Sequence, residues 1–417
     1  MQITNLRPGL LLATWQMPTM RSVALGYWIR SGVASEPARL QGVSHFLEHL
    51  IFKGTGTRSA RDISEGFDRI GGEVNAYTAK EYTCFYFRVV DEHLPQAVEI
   101  MTDMICHSRL EPDDVAKERN VILEEVGMYE DSPDEYVHDL LAQAIWPEHP
   151  LGRSILGTRE TLRELAADDL RQFYGQHYHA GNMVISAAGN VDHERLATEL
   201  SKHLSLKEQA EGLLTVQPPT ISPRNLWVEK PTEQLHLALG LPGLPLGHPR
   251  LYAWNLLNNI LGSGMSSRLF RQLREEHALV YNAYSYTASF TQSGYSAIYL
   301  GLAPHNLGKA LELIATELSS LSSQTVSSEE LGRAKAQVKG SLVMGLESTA
   351  NHMSRLGRGL LLLKRVQPIE QIMAAIEAVT AEDLRQLARE LFERRMLAAA
   401  AVGRVEQVQE LLDGFNW

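Results

Sequence analysis

Residues 42–54 read Gly42-Val43-Ser44-His45-Phe46-Leu47-Glu48-His49-Leu50-Ile51-Phe52-Lys53-Gly54. Apolar side chains recur in this stretch at about the helical period, and Gly54 stands where a helix C-cap would lie. On such a helix His45 and His49 face the same way, with Glu48 beside them. Two imidazoles one turn apart can occupy two corners of a tetrahedral zinc site, and a nearby carboxylate can act on water there. The His-x-x-Glu-His order is the inverted form of the zinc-hydrolase motif His-Glu-x-x-His.

The same residues also fit a simpler structure, in which two core or surface histidines share a helix with a glutamate. Three polar groups on a largely apolar helix need partners, and this need favours the metal site. Two histidines are too few to hold a catalytic zinc ion, since such sites have three protein ligands. A third ligand must therefore come from elsewhere in the chain.

Length and composition exclude several classes of protein. A chain of 417 residues is too long for one ordinary core and predicts two domains of about 200 residues. Its net charge of −11 and isoelectric point near 5.8 argue against a nucleic acid or an anionic membrane as partner. Cys84 and Cys106 are the only cysteines, which indicates a reduced compartment rather than a disulfide framework. With no signal peptide or transmembrane run in the sequence, we predict a cytoplasmic protein.

A second predicted helix, from about Pro112 to Tyr129, offers candidates for the third ligand. Pro112 suits the first helical position, and the two aspartates after it suit the positive end of the helix dipole. Glu118 and Glu125 are seven residues apart and share a face, whereas Glu124 is rotated by about 100° from Glu125. Spacing alone leaves open whether these are ordinary surface glutamates or residues directed at a cation.

The two segments together resemble the pitrilysin/insulinase family of zinc peptidases. The motif from His45 to His49 is followed, after 75 intervening residues, by Glu125. The resemblance is strongest to the short-chain branch of the family, which includes the catalytic subunit of mitochondrial processing peptidase. It implies one zinc ion per chain, held by His45, His49 and Glu125. It also implies that Glu118 supports the ligands from behind, as such outer carboxylates do in zinc sites.

The segment from Glu73 to Thr78 reads as a strand and also matches the family. In the family this is an edge strand, to which the backbone of the substrate adds as a further strand. The resemblance therefore implies that Asn75, Ala76, Tyr77 and Thr78 bind substrate. A plain buried strand is the alternative for these residues.

The second half of the sequence repeats the first. Residues 381–386 echo 167–172, and residues 403–405 echo 189–191, both at an offset of 214; residues 282–285 echo 75–78 at an offset of 207. Such self-similarity indicates a duplicated fold. We predict an α+β protein with two duplicated domains of similar fold, each a mostly antiparallel sheet packed with helices. The predicted parts are a zinc-bearing domain (1–205), a linker (206–224) and a domain without metal (225–417), which has Asn255, Asn258 and Asn259 where the first has its motif.

The second domain carries another segment that resembles the family. In residues 273–281, Arg274 and Tyr281 are seven apart, as are an arginine and a tyrosine that bind substrate and transition state in the family. Arg274 can donate to a peptide carbonyl or carboxylate, and Tyr281 can donate to a developing oxyanion. A solvated arginine and an ordinary strand tyrosine are the alternative. The loop Gly262–Ser267 resembles a glycine-containing loop that some relatives use for substrate capture.

The resemblance implies a zinc-dependent endopeptidase acting on peptides or unfolded segments. Glu48 is expected to be the general base, and a homodimer is expected to form a chamber in which Arg274 and Tyr281 of one chain serve the zinc of the other. The main alternative is a non-catalytic core or partner subunit of a related complex. Such subunits typically lack one or more of the ligands or Glu48, all of which are present here. A zinc hydrolase with a non-peptide substrate is the third possibility, and the strand at residues 73–78 disfavours it.

Overall fold

The computed structural model of the chain describes residues 1–207 and 218–417. Part of the predicted linker, 206–224, lies outside these described residues. The strands are β1 (Gln2–Arg7), β2 (Leu10–Gln16), β3 (Ser22–Ile29), β4 (Glu73–Thr78), β5 (Thr83–Val90), β6 (Met183–Gly189), β7 (Asn225–Glu229), β8 (Leu235–Pro242), β9 (Val280–Ser289), β10 (Gly294–Leu302) and β11 (Ala398–Gly403).

Fifteen α-helices occur in the described part of the chain, together with short 3-10 turns and a π-helical segment, Phe270–Glu276. The helices are α1 (Val43–Ile51), α2 (Ala60–Arg69), α3 (Leu94–His107), α4 (Pro112–Glu130), α5 (Pro133–Ile145), α6 (Arg159–Glu164), α7 (Ala167–His177), α8 (His193–His203), α9 (Leu251–Gly262), α10 (Leu307–Ser323), α11 (Ser328–Gly345), α12 (Thr349–Leu363), α13 (Ile369–Ala378), α14 (Ala381–Leu391) and α15 (Val408–Asp413). None of them is both long enough and apolar enough to cross a membrane.

The strands form two sheets of the same design. The first has the order β1-β2-β6-β3-β5-β4, and the second has the order β7-β11-β8-β10-β9. Each contains one parallel pair, β2 with β6 and β7 with β11, while every other pairing is antiparallel. Helices pack on both sheets, and each sheet has its own apolar core. The predicted α+β class with two duplicated, mostly antiparallel domains is confirmed.

The sequence repeats occupy equivalent places in the two sheets. The segment 75–78 lies on β4 and 282–285 lies on β9, and these strands are edges of their sheets. Gly189 and Gly403 end the central strands β6 and β11 with φ of 130° and 131°, a conformation that favours glycine. The duplication that the sequence indicates is therefore visible in the backbone.

The chain packs as two compact units that are not contiguous in sequence. The first unit comprises Met1–Val126, Ser154–Val216 and Met344–Val366, and the second comprises Gly127–Arg153, Gln217–Val343 and Gln367–Trp417. Helix α12, from the second half of the sequence, thus packs on the first sheet, and α5, from the first half, packs on the second. The predicted domain boundary at residues 206–224 stays a prediction about where the two duplicated halves of the sequence meet. The two compact units differ from these halves because each half contributes one helix to the other unit.

Glycines let the exchanged helices approach the sheets closely. A Cβ atom added to Gly26 of β3 would lie 2.5 Å from Sδ of Met353 on α12. A Cβ atom added to Gly240 of β8 would lie 2.8 Å from Cδ1 of Ile145 on α5. Because atoms that close would clash, both positions are best occupied by a residue without a side chain.

Candidate metal centre

Helix α1 begins at a glycine and a buried carboxylate. Gly42 has φ of 89°, and its backbone N–H donates to Glu36, which also accepts from the N–H of Ser44 at 2.9 Å. An acidic group at this end satisfies free N–H groups and complements the helix dipole. The helix then buries Val43, Phe46, Leu47, Leu50 and Ile51 in the core of the first unit. The polar motif residues are thereby fixed on the remaining face.

His45 and His49 meet on that face as the sequence spacing predicts. Their ring centroids are 4.7 Å apart. Burial, and then the nearby His49, lower the pKa of His45 to about 3. A neutral imidazole is the form that binds a metal. The buried Nδ1 atom of His45 has no hydrogen-bond partner among the described residues, so packing alone holds this ring.

Glu125 of α4 completes a group of three potential ligands. Its Oε2 atom lies 3.8 Å from Nε2 of His45 and 3.6 Å from Nε2 of His49. Two ligands bound at 2.0–2.1 Å to a tetrahedral zinc ion would be roughly 3.4 Å apart, so a small adjustment brings these atoms to zinc distances. Among residues 1–207 and 218–417, this is the one group of three or more such side chains close enough to share a metal ion. The donor set and its spacing fit zinc.

Glu118, which lies seven residues or about two helical turns before Glu125, contacts the Nδ1 side of His49. Its Oε2 accepts from Nδ1 of His49 at 3.2 Å, and its Oε1 lies 2.7 Å from Nζ of Lys53. The Glu118 side chain is only 8 % exposed. Holding Nδ1 in this way leaves Nε2 of His49 facing Glu125.

Glu48 lies on the same helix but contacts the edge strand instead. Its Oε2 accepts a hydrogen bond of 2.6 Å from the hydroxyl of Thr78. Partial burial raises the pKa of the Glu48 carboxyl, and the Thr78 hydrogen bond partly opposes that rise. A carboxylate with a raised pKa is better suited to accept a proton near neutral pH.

Strand β4 is the edge of the first sheet, as the resemblance implies, and pairs only with β5. Its side chains alternate: Thr78 turns towards Glu48, whereas the Tyr77 ring packs edge-on against Trp28 and Tyr82 on the other face. Asn75 is exposed and Ala76 is half-buried. An exposed edge can accept a further strand, while the role of each side chain in binding stays a prediction.

Arg274 and Tyr281 lie in the second compact unit, whereas the three potential ligands lie in the first. Arg274 belongs to the π-helical segment, and its guanidinium carbon is 5.2 Å from the centre of the Phe270 ring. Tyr281 is on β9 and is 61 % exposed. The loop Gly262–Ser267 begins at the last residue of α9, and Ser267 donates to the carbonyl of Gly264 within it.

Three contacts at the site were missed by sequence reasoning. Lys53 lies four residues after His49, so helical spacing places it on the same side as the histidines, but its contact with Glu118 depends on how α4 packs against α1. The Thr78–Glu48 hydrogen bond joins elements whose pairing the sequence does not reveal. Glu36 precedes α1 in an irregular segment, and its capping contact carries no sequence signal beyond an acidic residue near a helix start.

Comparison with known proteins identifies two family models in the chain. Residues 11–159 match the model described as "Insulinase (Peptidase family M16)", and residues 164–338 match the "Peptidase M16 inactive domain". The segment that matches the first model includes His45, His49, Glu118 and Glu125.

Curated bacterial relatives match over almost their whole length. The chain is 44 % identical to the uncharacterized zinc protease YmxG of Bacillus subtilis, covering 92 % of this chain and 94 % of that protein. It is 41 % identical to the uncharacterized zinc protease SCO5738 of Streptomyces coelicolor, covering 94 % and 87 %.

Solved structures share the fold at lower identity. A protease from Helicobacter pylori superposes with a TM-score of 0.90 at 21 % identity, over 96 % of this chain and 98 % of that one. A chain of complex III2 from Candida albicans superposes with a TM-score of 0.86 at 20 % identity, over the full length of both. At this identity the likeness concerns the fold alone.

Proposed function

Since the chain belongs to the insulinase family of peptidases, family M16, we propose that it is a zinc-dependent endopeptidase of peptides or unfolded segments. The observation that carries the proposal is the convergence of His45, His49 and Glu125, with Glu48 beside them. Relatives named zinc proteases support the metal.

One zinc ion per chain would be held by Nε2 of His45, Nε2 of His49 and a carboxylate oxygen of Glu125. When bound, zinc supplies a Lewis acid that polarises a carbonyl and makes water acidic enough to lose a proton near neutral pH. Glu118 keeps the Nδ1–H of His49 engaged, so that Nε2 presents its lone pair. Burial keeps His45 neutral and oriented.

Glu48 is the proposed general base. It lies one residue before His49, and one of its oxygens accepts a hydrogen bond from the Thr78 hydroxyl. Glu48 takes a proton from the attacking water and passes it to the leaving amine, so that one carboxyl group serves both halves of the hydrolysis.

The proposed substrate is an extended peptide that adds to β4. Backbone hydrogen bonds along Asn75, Ala76, Tyr77 and Thr78 would bind it with little demand on its side chains. Because Thr78 contacts Glu48, a peptide on this edge passes next to the proposed base. The requirement for an extended backbone favours peptides and unfolded segments over folded proteins.

The proposed assembly is a homodimer with a chamber between its two chains. Arg274 would bind a peptide carbonyl or carboxylate, and the exposed Tyr281 would donate to the oxyanion. Both would act on the zinc site of the partner chain, and the loop Gly262–Ser267 would contact substrate. A cytoplasmic location also stays a prediction.

The first test is a zinc assay combined with cleavage of a peptide library, run with and without chelator. We expect one zinc per chain, cleavage at defined bonds, and loss of cleavage when zinc is removed. A folded chain that binds zinc but cleaves no peptide supports the non-catalytic subunit instead. The fold alone does not separate the two functions, since a chain of complex III2 has the same fold. The presence of the three potential ligands and Glu48 favours the peptidase.

A further inference from the structure

Helix α1, with the turn after it, presents a row of three basic side chains, and α4 presents two glutamates that contact this row. His45, His49 and Lys53 are spaced four residues apart along α1 and the turn after it, and Glu118 and Glu125 are seven apart on α4. Glu125 faces both histidines, while Glu118 lies between His49 and Lys53. The lysine is thus the last member of the row that provides two metal ligands.

We propose that Lys53 is a positioning residue for the metal centre. Its ammonium group fixes the Glu118 carboxylate, which in turn fixes the tautomer and ring orientation of His49. The inference rests on the proposed zinc site, and it assigns Lys53 a role in metal affinity without any contact to the metal.

The need for Lys53 follows from how little else restrains the carboxylate. The last torsion of a glutamate side chain is broad and roughly two-fold, so one hydrogen bond does not define the orientation of the group. In Glu118 each oxygen has its own partner, Oε1 at 2.7 Å from Lys53 and Oε2 at 3.2 Å from His49. The shorter contact is the ion pair with Lys53, and because the Glu118 side chain is buried, the attraction between these opposite charges is stronger than it would be in water. Lys53 therefore decides which way the Glu118 carboxylate points.

His49 depends on this contact more than His45 does. The His45 side chain is 9 % exposed and is held by packing, whereas that of His49 is 23 % exposed. Nδ1 of His49 donates to Glu118, while Nδ1 of His45 has no partner among the described residues. Loss of Lys53 should therefore disturb one histidine and leave the other unchanged.

The charge of Lys53 acts in the opposite direction to its positioning role. A cation near a metal site disfavours a second cation, so removal of the ammonium group by itself would tighten zinc binding. Positioning predicts the reverse, since mutation of a residue that orients ligands typically weakens metal binding 10- to 100-fold. The sign of the change in zinc affinity therefore separates the two effects.

The test measures zinc dissociation constants by chelator competition at one fixed pH. We expect Lys53→Met to raise the zinc Kd about 10-fold or more, and Lys53→Arg to restore most of the affinity. Lys117→Met is the matched control, because Lys117 is 74 % exposed, lies next to Glu118 in sequence and forms an ion pair with Asp114 at 3.9 Å. This control should leave the Kd unchanged.

A second background shows whether Lys53 acts through Glu118. In Glu118→Ala chains, Lys53→Met should add less than about a two-fold change, since the group it positions is absent. An unchanged or lower Kd for Lys53→Met, or an equal rise in both backgrounds, overturns the proposal. Thermal unfolding of each variant identifies any that fail to fold. If Lys53→Met is one of these, the zinc Kd values of Lys53→Arg and Lys53→Gln are compared instead.

Nitrogen-15 NMR of the metal-free protein gives a readout that needs no zinc. With His49 assigned by its loss in His49→Gln, we expect the tautomer with hydrogen on Nδ1 in the unmodified chain and a mixture in Lys53→Met. The opposite tautomer in the unmodified chain contradicts the proposal. If the unmodified chain binds no zinc, the proposed function fails, and this spectrum still tests Lys53.

Discussion

Helices α1 and α9 occupy equivalent places beside the edge strands of their sheets, but of these two helices only α1 carries potential metal ligands. At an offset of 210 residues their buried and half-buried positions agree along α1 except at one pair, where His45 is buried and Asn255 is half-buried. At that offset the residues that correspond to His45, Glu48 and His49 are Asn255, Asn258 and Asn259. The duplicated scaffold therefore forms with the motif in one unit and without it in the other.

Helix α4 of the first unit and helix α11 of the second also differ in their polar side chains. Helices α4 and α11 begin 216 residues apart, and at this offset Ala334 corresponds to Glu118 and Ser341 corresponds to Glu125. Ala334 is buried in an apolar core, whereas the buried Glu118 requires two cationic or polar partners. A buried carboxylate is costly unless it is hydrogen-bonded and paired. The first unit therefore carries the free-energy cost of a buried carboxylate, and the second unit has a buried alanine at the equivalent position.

The contact between helix and edge strand shows the same contrast. In the first unit Thr78 donates to the Glu48 carboxylate, whose pKa burial raises. In the second unit Ser285 donates to the carbonyl of Asn258, and the Asn258 amide donates back to the Ser285 carbonyl. Two hydrogen bonds between neutral groups join helix and strand in the second unit, whereas in the first unit the acceptor is a carboxylate.

Exchange of one histidine for its counterpart should produce the largest effect. His49→Asn, which places the residue type of Asn259 in the first unit, should abolish stoichiometric zinc binding and hydrolysis, because two ligands do not hold a catalytic zinc ion. Asn259→Ala is the control and should leave the zinc content at one ion per chain. Metal analysis after dialysis measures both; zinc retained in His49→Asn would remove His49 from the ligand set.

Substitution of the base should leave the metal in place. Glu48→Gln keeps the hydrogen bond from Thr78 possible but cannot take a proton, so kcat should fall about 10²- to 10⁴-fold. Zinc affinity should remain within a few-fold of the original. Turnover of the best library peptide and chelator competition give the two numbers, and undiminished turnover would exclude Glu48 as the base.

Much of this comparison was predictable from the sequence because it rests on local spacing. Residues 45, 48 and 49 fall on one helical face for any helix, and the repeat at residues 282–285 locates the second edge strand. The exchange of α5 and α12 was not predictable, since an amphipathic helix fits either of two similar sheets. The contacts of Lys53 and Thr78 depend on packing between separate elements, which periodicity does not encode.

Mixing of two inactive chains tests whether the second unit contributes to a site in another chain. Glu48→Gln and Tyr281→Phe should each be impaired alone, the latter about 10²- to 10³-fold for one lost oxyanion donor. With random exchange half of the dimers are mixed, and each mixed dimer has one intact site of two. Activity should therefore recover to about a quarter of the original. Absence of recovery, with subunit exchange verified by mass spectrometry, would show that the site is not shared between chains.

The smallest expected effect concerns the glycines beneath the exchanged helices. In Gly26→Ala the new methyl group would lie 2.5 Å from Sδ of Met353 and 2.8 Å from Nε1 of Trp28, whose ring is fixed by a hydrogen bond to Ser186. We expect a loss of about 1–3 kcal/mol in the free energy of unfolding, as for other overpacked cores. Zinc affinity should not change, because neither neighbour touches the motif.

Gly240→Ala is the matching change in the second sheet and should be milder. Its methyl group would meet Cδ1 of Ile145 at 2.8 Å and Cδ1 of Leu141 at 3.0 Å, and both atoms are the ends of flexible side chains. Because alanine lowers the conformational entropy of the unfolded chain, it stabilises the folded state by about 0.4–1 kcal/mol. The net loss in the free energy of unfolding should therefore be under about 1 kcal/mol. Denaturant unfolding followed by a probe in each unit measures both variants. A larger loss for Gly240→Ala than for Gly26→Ala would mean that α5 is held more rigidly than α12, and that the second unit, not the first, has the tighter packing between sheet and exchanged helix.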